Sequence, residues 1–182
     1  MGQGYNFEQL KTEMIERSHD KDWQQAKLEW DLKDVFRVTD EQVCLCGHHP
    51  IYQICTLENH LTHREAEVGN VCVERFLGMR SRRIFSALKR IRADLKRSLN
   101  KEAIEMFRKL KVVSYQEAEE YLLFYRRRKN VTDEQWALKE AVNQAVLAYV
   151  DRRAASSAAA FLALGGRAAT KGAPPATDLA AE

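Results

Sequence analysis

The sequence contains no long run of apolar residues. No stretch approaches the roughly 20 apolar residues that a membrane-spanning helix needs. The opening MGQGYNFEQLKTEM carries charges where a signal peptide has an apolar core. We therefore expect a cytoplasmic protein without a membrane partner. Because thiols stay reduced in that compartment, a cluster of cysteines indicates a metal site more often than a disulfide.

The sequence also lacks the common catalytic and nucleotide-binding motifs. It has no Walker loop, no dinucleotide-binding fingerprint and no Ser-His-Asp pattern. No short glycine-containing turn joins the clearest predicted helix, 79–97, to an equivalent partner, so no helix-turn-helix DNA reader is indicated. We expect a protein that is not an enzyme.

Proline and glycine are scarce, with 3 and 8 of them in 182 residues. Both residues interrupt helices, so their scarcity favours a helical chain. The predicted fold is a mostly α-helical α+β protein in which a small zinc finger packs with a helical bundle. We predict an acidic N-terminal helical segment over 1–34, a zinc-binding finger over 35–78, a basic helical region over 79–152 and an Ala-rich disordered tail over 153–182.

Apolar spacing and capping residues place the helices of the basic region. One apolar stripe at helical spacing predicts the helix over 79–97, and its members are Ile84, Leu88, Ile91 and Leu95. Further helices are predicted at about 101–110, 115–129 and 133–151. Capping-box pairs mark the starts of the last two, Ser114 with Glu117 and Thr132 with Gln135.

The four cysteines of the chain lie close together in the sequence. Cys44 and Cys46 flank one residue in front of Gly47, which can adopt the positive φ that lets a knuckle wrap its amides around a sulfur. Period-two alternation places Cys55 on a strand of a β-hairpin. Cys72 falls at the start of the following helix, where free N–H groups stabilise a thiolate. Knuckle, hairpin and helix in this order predict a treble-clef-like zinc finger.

We predict that Cys44, Cys46, Cys55 and Cys72 bind Zn²⁺, with His48 as the alternative to Cys55 for the fourth position. The competing interpretation is four unrelated buried thiols, or two disulfides. Four protein ligands close the tetrahedral shell and leave no position for a reactive water, so the predicted zinc is structural.

This part of the chain resembles a known group of proteins. The stretches AKLEWDL, CLCGHHPIYQICTLEN and VGNVCVERFLG are similar to small, largely uncharacterised zinc-binding proteins of bacteria, phages and mobile elements. Their pattern of C-x-C-G, an Ile-rich strand ending in Asn, and V-G-x-x-C before an aromatic residue falls here on Cys44, Cys46, Gly47, Ile51, Asn59, Val68, Gly69, Cys72 and Phe76. The resemblance implies a metal-binding module over about 26–78 and no settled activity. His63 departs from the pattern, because the reversal after Asn59 often has a glycine there.

Charge is distributed unevenly along the chain, whose net charge is +3. Residues 1–43 contain six basic and ten acidic residues, whereas residues 79–129 contain sixteen basic and six acidic ones. Clustered cations neutralise phosphates and release counterions, so the basic region predicts nucleic-acid contacts. The alternative interpretation is a solvated helix face. The candidate contacts are Arg80, Arg82, Arg83, Lys89, Arg90, Arg97, Arg126, Arg127, Arg128 and Lys129.

These features support three hypotheses about function. The leading one is a non-enzymatic zinc-binding protein that binds nucleic acid, or a DNA- or RNA-bound protein complex, through its basic helices. The alternative is a protein–protein inhibitor or adaptor, an anti-defence factor of a phage or mobile element, that engages a host protein through its acidic N-terminal helices. The third is a zinc-dependent nuclease. It would need a His or Asn on the helix after the hairpin, where the chain has Asn70 and Glu74 but no His.

Overall fold

Two helices, a three-stranded sheet and five further helices follow one another along the described part of the chain. The computed structural model describes residues 3–163. Its elements are α1 (Gln3–Arg17), α2 (Trp23–Ala26), β1 (Trp30–Gln42), β2 (Ile51–Asn59), β3 (Glu65–Gly69), α3 (Asn70–Leu77), α4 (Ser81–Ala93), α5 (Lys101–Lys109), α6 (Tyr115–Phe124) and α7 (Asp133–Ala163). The predicted mostly helical α+β class is confirmed for this part of the chain.

β2 is the central strand of the three-stranded sheet, and its pairings with β1 and β3 are both antiparallel. Val35, Cys55 and Val68 are aligned across the three strands and are fully buried. β1 begins at Trp30, whose indole N–H donates to the Ser18 hydroxyl at 2.8 Å. The first strand therefore starts before the boundary predicted at residue 35, because residues counted with the N-terminal helical segment pair with β2.

Asn59 stabilises the turn between β2 and β3. Its backbone N–H donates to the Arg64 carbonyl at 2.9 Å. Its side-chain oxygen accepts from the backbone N–H groups of Leu61 and Thr62 at 2.9 and 2.8 Å. His63 then adopts a φ of 55°, which is the left-handed region that glycine favours. The departure from the resemblance pattern at His63 thus falls on a position whose backbone suits glycine.

α4 and α5 form the layer that follows the finger. Ile84, Leu88 and Ile91 are buried on one face of α4, as the apolar stripe predicts. The helix ends at Ala93 rather than at residue 97, because Asp94 adopts an extended backbone. α5 coincides with the helix predicted at about 101–110.

α6 begins where it is predicted but ends early. Ser114 and Glu117 form the predicted capping box. The helix stops at Phe124, so the RRRK run of residues 126–129 lies in the loop before α7 and not on a helix that reaches residue 129.

α7 packs on β1 and is longer than predicted. At its start the predicted pair is present, since Gln135 N–H donates to the Thr132 hydroxyl at 3.3 Å and Thr132 N–H to the Gln135 side chain at 3.2 Å. Farther along, Arg153 Nε and the Tyr149 hydroxyl donate to Asp34 Oδ2 at 2.8 and 2.9 Å.

The predicted disordered tail over 153–182 is corrected at its beginning. Residues 153–163 continue α7, because alanine has the highest helix propensity and Arg153 is held by Asp34. The rest of that prediction, 164–182, lies outside the described residues. Within residues 3–163, none of the helices combines the length and the apolar character that crossing a bilayer requires.

Candidate metal centre and basic surface

The knuckle after β1 is a tight turn that brings Cys44 and Cys46 together. Cys44 N–H donates to the His48 carbonyl at 3.0 Å, and Gly47 N–H donates to the Cys44 carbonyl at 2.8 Å. Gly47 has a φ of 77°, and a Cβ there would lie 2.6 Å from Oε1 of Gln9 on α1. The backbone conformation and the close approach of α1 both favour glycine at this position.

Cys72 reaches the knuckle from the first turn of α3. The helix starts directly after Gly69, the last residue of β3, whose N–H donates to Cys44 Sγ at 3.2 Å. A Cβ on Gly69 would lie 3.3 Å from Ile51 and 3.8 Å from Cys44 Sγ. The end of β3 therefore packs tightly against the knuckle, and the start of α3 follows it there.

The three sulfur atoms have the spacing of a metal site. Cys44, Cys46 and Cys72 are buried, and their Sγ atoms all lie within 4.8 Å of one another. The Sγ of Cys72 is 3.6 Å from that of Cys44 and 3.3 Å from that of Cys46. Zinc–sulfur bonds of about 2.3 Å in a tetrahedron separate two sulfurs by about 3.8 Å. The cluster therefore fits zinc with a movement of a few tenths of an ångström.

The protonation of the cluster also fits a cation at its centre. Hydrogen bonds from Cys44 and Cys72 lower the pKa of Cys46 to about 2. The same hydrogen bonds, with Cys44 and Cys72 as donors, raise the pKa of each of these two thiols above its ordinary value. One thiolate thus accepts hydrogen bonds from two thiols that keep their protons, because three sulfur anions at this distance would repel one another. A bound cation removes that repulsion and leaves a coordinating thiol deprotonated.

Cys55, predicted as the fourth ligand, does not join the three sulfurs. It lies in the middle of β2, where register with Val35 and Val68 buries it completely. Burial raises the pKa of Cys55 to about 12, and a hydrogen bond with Ser81 at the start of α4 opposes that rise. Its strand assignment is confirmed, but the strand carries its sulfur toward α4 and away from the cluster.

His48, the alternative fourth ligand, lies beside the cluster. It lines a cavity of about 510 Å³ together with Cys44, Cys46 and Cys72. Its backbone N–H donates to Cys46 Sγ and contributes to the low pKa of that thiol. His48 is exposed, and its ring nitrogens do not lie within 4.8 Å of all three sulfurs, so its side chain must move to complete a tetrahedral shell.

The histidines of the β2–β3 turn lie far from the cluster. β2 runs from Ile51, which contacts the knuckle side at Gly69, to Asn59, which begins the turn. At about 3.3 Å per residue, this strand separates the two ends by about 26 Å. His60 is exposed and has its closest carboxylate, Asp31, at 3.7 Å. His60 and His63 are therefore outside the reach of a metal at the three cysteines.

Part of the predicted basic surface is neutralised by carboxylates from other helices. Each of these exposed arginines has a partner within 3.3 Å, and the pairs are Arg82 with Glu74, Arg83 with Glu102, Arg92 with Asp151 and Arg97 with Asp94. Arg80 borders the same groove as Glu102. The predicted helix 79–97 contains one acid, Asp94, and the other three carboxylates come from α3, α5 and α7.

A second group of cations has no carboxylate partner in the described part of the chain. Arg90 bonds only the Ser86 hydroxyl, at 3.1 Å, and Arg126 stacks over the Tyr125 ring at 5.2 Å. The other members of this group form no ion pair within residues 3–163, and they are Lys89, Arg127, Arg128 and Lys129. We call Arg90 and Arg126–Arg128 the unpaired cluster, because these four residues line one cavity between α4 and the α6–α7 loop.

Sequence reasoning missed two residues of that cavity, Trp136 and Lys139. Lys139 is 1% exposed and its Nζ lies 4.7 Å from the centroid of Trp136. The signal in the sequence is spacing, because Lys139 shares helical spacing with Val142, Val146 and Val150, and the structure buries that face of α7. A lysine in an otherwise apolar stripe marks a buried charge. Comparison with protein families, with curated proteins and with solved structures found no match.

Proposed function

We propose that the chain is a non-enzymatic zinc-binding protein that binds nucleic-acid phosphates through the unpaired cluster. The observation that carries the proposal is that Arg90 and Arg126–Arg128 line one cavity and have no carboxylate partner among residues 3–163. An ion-paired arginine must give up its partner before it meets a phosphate, whereas an unpaired one releases only counterions.

Zinc has a structural role in this proposal. Cys44, Cys46 and Cys72 supply three ligands and His48 supplies the fourth, which gives a closed shell in a treble-clef-like arrangement of knuckle, hairpin and helix. Zinc then ties α3 to the knuckle and so fixes the start of α4 relative to the sheet. The distance of the turn histidines from the sulfurs favours this role over a zinc-dependent nuclease.

The test compares two double variants that remove the same charge. Fluorescence anisotropy measures the affinity of the full chain for a labelled DNA duplex and a labelled RNA strand over a range of salt concentrations. Arg126→Ala with Arg127→Ala is expected to reduce the slope of log K against log salt by about two, since each phosphate contact contributes about 0.9. Arg82→Ala with Arg83→Ala, which removes cations already paired with Glu74 and Glu102, is expected to change it by less than one.

Two results would contradict the proposal. The first is no binding by the wild-type chain at low salt. The second is an equal or larger effect of the paired arginines. Affinity capture with and without nuclease treatment tests the alternative hypothesis, because a stoichiometric protein that survives nuclease supports an adaptor that acts through the acidic N-terminal helices.

A further inference from the structure

Lys139 is a buried lysine whose ammonium has no acceptor among residues 3–163. The lysine is 1% exposed. Its Nζ lies 4.7 Å from the ring centroid of Trp136 and 5.6 Å from that of Phe124. No carboxylate or carbonyl within residues 3–163 accepts a hydrogen bond from it. An ammonium has three donors, and cation–π contacts compensate only part of its lost hydration. The described part of the fold therefore keeps a largely buried positive charge that is short of acceptors.

This ammonium borders the cavity of the unpaired cluster. The cavity has a volume of about 630 Å³. Six further cations line it, Arg90, Lys96, Arg97, Arg126, Arg127 and Arg128, against one carboxylate, Asp94, which pairs with Arg97 at 3.3 Å. Burial lowers the pKa of Lys139, as expected for an ammonium that lacks a counterion. No carboxylate of residues 3–163 pairs with Lys139, so an anionic ligand in the cavity would supply a counterion.

The wall of the cavity is held rigidly by a buried hydrogen-bond network. Asn143, one turn beyond Lys139 on α7, donates to the carbonyls of Leu95 and Arg97 at 2.6 and 2.8 Å. The Tyr121 hydroxyl donates to Asn143 Oδ1 at 3.1 Å and accepts from Leu99 N–H at 3.0 Å. The segment after α4 is thereby fixed against α6 and α7. A site that is rigid before binding loses less entropy when a ligand enters.

We infer that this cavity is a binding site for a phosphate group, which accepts hydrogen bonds from the buried Lys139 and from arginines at the rim. A phosphate is compact, anionic and rich in acceptors, which matches an excess of cationic donors around one buried ammonium. The identity of the phosphate as part of a nucleic-acid strand rests on the proposed function, whereas the site itself does not.

Titration calorimetry of the full chain with inorganic phosphate at fixed ionic strength tests the site. Lys139→Met keeps an apolar stem against Trp136 and Phe124 and is expected to weaken phosphate binding at least tenfold. Lys109→Met removes the same charge from an exposed position on α5 and is expected to change it less than twofold. Arg127→Met, in the loop, disturbs no core contact and is expected to weaken binding at least threefold even where the Lys139 variant fails to fold.

Three results would overturn the site. They are no phosphate binding by the wild-type chain, an unchanged affinity in Lys139→Met and Arg127→Met, or an equal loss in Lys109→Met. The last of these would mean that phosphate responds to net charge and not to a built cavity.

Two oligonucleotides of one sequence, with and without a 5′-phosphate, then distinguish the sources of the phosphate. A terminal phosphate is the ligand if the phosphorylated strand binds at least fivefold tighter and Lys139→Met abolishes that preference. Internal phosphates are the ligands if both strands bind equally and both weaken in the variant. If inorganic phosphate binds but neither strand does, the proposed function fails and the site stands. If both strands bind and Lys139→Met changes neither, the assignment of the site's phosphate to nucleic acid falls and the proposed function stands.

Discussion

Asp34 is the residue on which the packing of α7 against the sheet depends most. It is 2% exposed, in β1. Its Oδ2 accepts from Tyr149 at 2.9 Å and from Arg153 at 2.8 Å, and its Oδ1 accepts from the backbone N–H of Val35 at 2.8 Å. The Asp34→Ala substitution leaves three donors without an acceptor, one of them a guanidinium.

The free energy of unfolding should fall by about 3 kcal/mol in Asp34→Ala. Each lost hydrogen bond contributes about 1 kcal/mol, and a bond to a charged group about 1.5–3 kcal/mol. The side chain of Arg153 is 35% exposed, so water replaces part of what it loses and the lower end of the charged range applies. For a chain of this size, the melting temperature should fall by about 6–12 °C.

Urea unfolding followed by circular dichroism measures this loss. Asp31→Ala is the matched control on the same strand. Its side chain is 80% exposed and lies 3.7 Å from His60, so the expected change is below about 0.5 kcal/mol. A chain that ends after residue 152 should also be less stable than one that ends after residue 163. An Asp34→Ala variant within 0.5 kcal/mol of the wild type, an error typical of such comparisons, would refute the reasoning.

Two further predictions concern the buried carboxylate of Glu29 and the isolated thiol of Cys55. Burial raises the pKa of Glu29, but hydrogen bonds from Asn59 and from the N–H groups of Asp20 and His19 outweigh it and hold the pKa below its ordinary value of 4.5. The stabilisation by the ionised Glu29 is therefore complete above the pKa of this residue in the unfolded chain, and it is lost as pH falls through the lower folded pKa. The free energy of unfolding between pH 6 and 3 should drop more steeply in the wild type than in Glu29→Gln. Parallel curves for the two proteins would contradict this. Cys55→Ala should retain one zinc per chain by elemental analysis, at a cost of roughly 1 kcal/mol of stability, and loss of the metal in a folded variant would return Cys55 to the ligand set.

Local signals predicted the helices and their starts. The cap pairs at Ser114 and Thr132 act within one turn, so the sequence alone indicates them. The end of α7 is different, because residues 153–163 are stabilised by a contact between Arg153 and Asp34, which are far apart in the chain. An alanine-rich composition indicates both a helix and a disordered tail, and only the tertiary contact decides between them.

The site could be predicted as a set of residue types and not as a geometry. The knuckle and the helix start located Cys44, Cys46 and Cys72, since each depends on local backbone chemistry. Cys55 was predicted to join them, but its sulfur lies outside the group of three, because the direction of a strand side chain depends on pairing register, which a single sequence does not contain.

The free charge of the basic surface also could not be predicted from a single sequence, because it depends on tertiary contacts. The partners of Arg82 and Arg83 come from α3 and α5, so the sequence of α4 overestimates its free charge. Lys139 was missed for a different reason, because one buried lysine was not distinguished from the many exposed lysines. Only its position on the buried face of α7 distinguishes it.

X-ray absorption at the zinc edge of the purified full chain tests the central claim most directly, because it counts the atoms that hold the metal. We predict one zinc per chain with three sulfur neighbours at about 2.3 Å and one nitrogen at about 2.0–2.1 Å, from Cys44, Cys46, Cys72 and His48. Four sulfur neighbours would place Cys55 at the metal and contradict the geometry of the cluster. A chain that folds fully and binds no zinc would contradict the metal centre itself.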